Sequence, residues 1–137
     1  MSISPLIQFD YLDLADEFMR AFRNLPPGTP PSWPRYFLLC HSIELALKAY
    51  LAAQGVPPSE LKNTFGHDLK ELLTEAIRLG LAIDVPARTE IELLNEAHTK
   101  YWPRYPREDA KPVFVIDHFE PYAAELLQLV RSSIQGF

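Results

Sequence analysis

The sequence predicts an all-α fold, an up-and-down antiparallel bundle of four to five helices. Three observations carry that prediction. Apolar side chains recur at three- and four-residue steps in five separate segments. The 13 prolines gather between those segments or in their first turns, and none falls in a segment's interior. The one β-like run, Pro112-Val-Phe-Val-Ile116, has no second run to pair with and reads as extended loop.

The first helix is expected from about Ile7 to Leu25, with Tyr11, Leu14, Ala15, Phe18, Phe22 and Leu25 on its apolar face. Pro26, Pro27, Pro30, Pro31 and Pro34 separate it from the second, expected from Trp33 to Gln54, with Gly55 as a C-terminal stop. Few positions of this second helix suit solvent, which places it at the bundle centre. The third runs from Asp68 to about Leu79. Asp68 and Glu71 have the spacing of a capping box, and Gly80 follows the end. Its core positions are Leu69, Leu72, Leu73, Ala76 and Ile77. The fourth starts near Pro86, suited to a first turn, and reaches Tyr101, with Ile91, Leu94, Ala97, His98 and Tyr101 sharing a face. The fifth runs from near Asp117 to Ile134 on a stripe of Phe119, Tyr122, Ala123, Leu126, Leu127, Val130 and Ile134.

A chain of 137 residues supports one good core, so residues 1–137 are expected to form a single domain. Its 47% hydrophobic and 23% charged residues suit a soluble globular protein. A formal charge of −5 argues against a surface coated in basic groups for non-specific nucleic-acid binding, while leaving room for a local basic patch. Cys40 is the sole cysteine, which excludes an internal disulfide or a cysteine metal site. The start Met1-Ser-Ile-Ser-Pro-Leu lacks the basic and apolar regions of a signal peptide. The apolar run Tyr36–Ala53 is broken by His41, Glu44 and Lys48, so it is not read as membrane-spanning, and a reduced cytoplasmic setting is expected.

Those three residues are the first candidates for function. Polar groups on a central helix need partners or a cleft. His41, Glu44 and Lys48 lie at i, i+3 and i+7 on one stripe, and Glu44 precedes Lys48 in the favoured ion-pair order. The stripe reads either as an ion pair at a bundle seam or subunit surface, or as a pocket for a phosphate or nucleotide. His67 stands just before the third helix, beside Gly66. It reads as a loop anchor or as part of an anion site at a helix N-terminus. Between His98 and Lys111, the cations Lys100, Arg104, Arg107 and Lys111 interleave with Tyr101, Trp102 and Tyr105. Such a pattern lets cations meet phosphates while rings stack on bases, or simply covers the bundle end. The four histidines have no metal-ligand spacing, so no metal or other cofactor is expected.

The stretch Ser42-Ile-Glu-Leu-Ala-Leu-Lys-Ala-Tyr-Leu51, then Gly55, then Gly66-His-Asp-Leu-Lys-Glu-Leu-Leu73, resembles the HEPN family (higher eukaryotes and prokaryotes nucleotide-binding domains). The resemblance is strongest over 35–81, and helix order and length extend it along the chain. It implies a helical bundle, often a homodimer. It also implies a prokaryotic setting, sometimes a toxin–antitoxin pair with a small nucleotidyltransferase as partner. Some members are metal-independent ribonucleases whose Arg and His, four to six residues apart, act where two subunits meet.

Arg35-Tyr-Phe-Leu-Leu-Cys-His41 has that spacing. Arg35 would stabilise phosphoryl charge and His41 would move a proton at a ribose hydroxyl or leaving oxygen. The sequence departs from active members at Tyr36, where a polar residue is usual, and at Leu45, where the longer pattern has tyrosine. The motif also comes early in the chain. A six-residue step on a helix separates two side chains by about 120°. The reading from sequence is therefore a HEPN-like module that binds nucleotide, RNA or a protein partner without catalysis. Its ligand surface would combine Glu44, Lys48, His67, Arg104 and Arg107. The alternatives are a ribonuclease using Arg35 and His41, and a purely structural dimerisation domain with Glu44 and Lys48 at the subunit seam.

Overall fold

The computed structural model describes residues 7–26, 33–62, 68–101 and 116–135, with the backbone alone at 33 and 97–101. The described residues form an all-α helical bundle. In chain order the helices are α1 (Ile7–Asn24), α2 (Trp33–Ala53), α3 (Pro58–Glu60), α4 (Leu69–Arg78), α5 (Val85–Tyr101) and α6 (Glu120–Gln135), and a 3-10 turn, Ile116–Phe119, leads into α6. Four of the five expected helices start and stop within about a residue of their sequence signals. The fifth differs, because its first turn is the 3-10 turn and the α-helix proper begins at Glu120, with Pro121 in its first turn. α3 is a single turn, too short to leave a periodic trace. Of the β-like run, only Ile116 lies among the described residues, and it opens the 3-10 turn.

α2 packs against α1, α4, α5 and α6, with α1 as its main neighbour. Every residue from Ser42 to Leu51 is buried. Pro34–Ala53 is apolar and long enough to cross a membrane by composition alone, but 72% of the apolar window is buried in the protein, as expected for a central bundle helix. Ser42 donates to the Ala15 carbonyl at 2.7 Å, which draws α1 close to α2 at the fully buried Ala15. That approach sets the rotation of α1. Leu12, Ala15, Met19 and Phe22 are buried, whereas Leu14, expected in the core, is 42% exposed, and Tyr11 and Phe18 are half-buried. α4 and α6 bury the stripes read from sequence, apart from half-buried Ile77, Tyr122 and Ile134. On α5, Ile91 and Leu94 are buried together with Ala87 and Asn95, while the side chains of Ala97, His98 and Tyr101 lie outside the described residues.

The helix ends follow local chemistry. Gly55 (φ +95) and Gly80 (φ +112) take the left-handed conformation that suits glycine just past a helix end. Beyond Gly80 the Leu81 N–H returns to the Ala76 carbonyl at 2.9 Å, and beyond Gly55 the Val56 N–H returns to Leu51 at 3.0 Å. α4 begins with a double cap. Asp68 accepts from the N–H groups of Lys70 and Glu71 at 3.0 and 3.1 Å, and Asn95 of α5 accepts from that of Leu69 at 2.9 Å. Asp68→Ala is expected to cost about 1 kcal/mol, since Asn95 still serves one of the orphan donors. Urea denaturation checks this, and Asp68→Ser should recover most of the loss.

Candidate functional site

Arg35 occupies the first turn of α2, and each of its guanidinium nitrogens has a partner. Nη1 and Nη2 each meet one carboxylate oxygen of Asp117 at 2.9 Å. Nε donates to the Leu25 carbonyl at 3.1 Å, just past the end of α1. The guanidinium carbon lies 4.2 Å from the centre of the Phe22 ring. The side chain is only 5% exposed. One residue thus ties together α1, α2 and the turn before α6. The planar fork explains the choice of arginine, because a lysine cannot bridge both carboxylate oxygens. The hydrogen bond from Arg35 holds the Asp117 carboxyl below its ordinary range, and partial burial offsets this slightly.

His41 lies along α2 from Arg35, in a different environment. Its ring meets the edge of Phe18 at 4.4 Å and stacks on Phe37 at 5.5 Å, and the side chain is 26% exposed. Nδ1 stands 3.7 Å from Glu44 Oε1, too far for a hydrogen bond but close enough to attract a protonated ring. Arg35 rests on Phe22 and His41 on Phe18, one turn apart along α1. The two residues expected to act together therefore line neighbouring stretches of the same helix, with the arginine turned to Asp117.

Glu44 and Lys48 form the expected ion pair, Nζ to Oε2 at 2.9 Å. The pair is buried within one chain, with side chains 5% and 10% exposed. Little of either is left to face a second subunit, so within this chain the pair belongs to a bundle seam. The negative charge of Glu44 reaches two neighbours. Burial raises the Tyr11 hydroxyl above its ordinary pKa, and Glu44 adds to this. Burial raises the Cys40 thiol strongly, a hydrogen bond with Tyr36 offsets part of this, and Glu44 adds to the rise. Tyr36, where active members of the resembled family are usually polar, is buried and donates to the Leu94 carbonyl at 3.0 Å.

The structure thus brings His41, Glu44 and Lys48 into one stripe and gives Arg35 a separate place. His67, Arg104 and Arg107 lie outside the described residues. No group of three or more histidine, cysteine or acidic side chains suited to a metal ion occurs among the described residues. Sequence reasoning missed a second polar region, a cleft of about 420 Å³ between α1 and α6 lined by Arg20, Arg23 and Arg131. The only sequence signal for it is the three-residue spacing of Arg20 and Arg23 on a helix that is otherwise acidic outside its apolar face.

No family model matches the chain, and no curated protein or solved structure matches it.

Proposed function

We propose that the chain is a HEPN-like binding module of a prokaryotic toxin–antitoxin or nucleotidyltransferase-associated system, taking nucleotide, RNA or a protein partner without catalysis. The commitment of Arg35 to Asp117 and Leu25 is the observation that supports it. A phosphoryl-stabilising arginine must present its donors to the substrate, and here all three guanidinium nitrogens are occupied inside the fold. The departures at Tyr36 and Leu45 support the same reading, since both side chains are buried in the core. His41, with the half-buried rings of Phe18 and Phe37, is the accessible end of the α2 stripe, and ligand or partner contact is assigned there. The module is proposed to work as a cytoplasmic homodimer beside a small nucleotidyltransferase.

Mixed RNA incubated in EDTA with the wild type and with His41→Ala is expected to stay intact in both. Cleavage by the wild type alone would overturn the reading and make the protein a metal-independent ribonuclease. Binding is measured in parallel with labelled RNA, a labelled nucleotide and an immobilised nucleotidyltransferase. At least one of these is expected to bind, at least tenfold more weakly to His41→Ala. Equal binding to both forms, or none to either, overturns the placing of the contact at α2.

A further inference from the structure

The α1–α6 cleft concentrates positive charge in a chain of net charge −5. Arg20 and Arg23 enter it from α1 and Arg131 from α6, over a floor that includes Met19 and Leu127. Asp16 is the one carboxylate in the lining, so three cations face one anion. Two of the arginines are held in place by acids. Arg131 pairs with Asp16, and Arg23 Nε meets Glu120 Oε2 at 2.8 Å. Arg20 is exposed and enters no ion pair among the described residues.

We infer that this cleft is a site for a small phosphate-bearing anion carrying at least two negative charges, either an oligophosphate or the phosphate tail of a larger molecule. The size falls within the range of small-ligand clefts. Guanidinium groups from two helices can grip phosphate oxygens from both sides, as planar forks. The internal carboxylates are partly solvent-exposed and hold their arginines weakly. A phosphate carries up to twice a carboxylate's charge and three or more acceptor oxygens, so it displaces them onto water. The site is separate from the α2 stripe and does not depend on the reading given to it.

Isothermal titration of the full chain at low salt tests the inference, with inorganic tripolyphosphate and with ATP as probes. Binding is expected, weakened at least tenfold in Arg20→Gln. Arg20 is exposed and unpaired, so that variant should melt like the wild type. Asp16→Asn removes the competing carboxylate and is expected to tighten binding, a result that a merely structural role for Asp16 would not produce. His41→Ala should bind as the wild type does. Equal affinity for both probes assigns the site to the phosphate chain, and preference for ATP assigns it to a phosphate ester whose organic part lies on the apolar floor. Absence of binding to either probe, or unchanged binding in Arg20→Gln, overturns the inference.

Discussion

Glu44→Leu is expected to destabilise the protein by about 3–5 kcal/mol, the usual cost of stranding one member of a buried ion pair. The Lys48 side chain is 10% exposed, and its ammonium meets Glu44 at 2.9 Å. Removing the carboxylate leaves that charge buried on the central helix of the bundle. For a domain of this size, with total stability of about 5–15 kcal/mol, the loss is a large fraction. It corresponds to a fall in melting temperature of roughly 10–20 °C. Lys48→Met strands the Glu44 carboxylate in the same way and should also destabilise the protein. The double variant Glu44→Leu/Lys48→Met is expected to recover wild-type stability or exceed it, since a well-packed apolar pair needs no desolvation of charge. Urea denaturation of the four proteins gives the coupling energy directly. A loss under about 1 kcal/mol in Glu44→Leu would mean that the pair is solvated after all.

The same geometry decides how association should be tested. Charge reversal at Lys48 sets a second carboxylate beside Glu44 in a buried position, so it unfolds the chain before it reports on subunits. Leu14, 42% exposed on α1, is the better position, because an acid there meets solvent in the monomer.

What the sequence made legible was local. Prolines in first turns, the Asp68 cap and the glycines after α2 and α4 act over one or two turns, and each lies where its chemistry predicts. The central position of α2 was legible for a related reason, since a helix apolar all round has nowhere else to go. The rotation of α1 was not legible. Its apolar residues cover a broad arc, and the choice of Leu12 and Met19 over Leu14 rests on the Ser42–Ala15 approach between two helices. Arg35 illustrates the larger gap. Its partner Asp117 lies 82 residues away, and nothing near either residue announces the other. The same holds for Arg131 with Asp16, 115 residues apart, whose pairing builds the α1–α6 cleft. Spacing along the chain suggested a catalytic pair, whereas spacing through space gave the arginine a structural partner.

Arg35→Met should lose about 2–3 kcal/mol while keeping most of the apolar stem. The variant gives up two charge-assisted hydrogen bonds to Asp117, the bond to the Leu25 carbonyl and the contact with the Phe22 ring. Asp117 is 45% exposed and falls back on water, which keeps the loss below that of a fully buried pair. The clamp also carries a pH signature. Arg35 lowers the Asp117 pKa in the folded state below its ordinary value of 3.8. A carboxylate with a depressed folded pKa contributes stability above its unfolded pKa and loses that contribution as pH falls through the folded one. The stability gap between the wild type and Asp117→Asn should therefore be full near neutral pH and close progressively below about pH 4. Arg35→Lys should resemble Arg35→Met, because a point charge cannot hold both carboxylate oxygens and the Leu25 carbonyl together. A catalytic arginine behaves in the opposite way, since its replacement removes activity and leaves denaturation midpoints where they were. Wild-type stability in Arg35→Met, with no pH-dependent gap in Asp117→Asn, would release the guanidinium from the fold and make Arg35 available to a substrate phosphate.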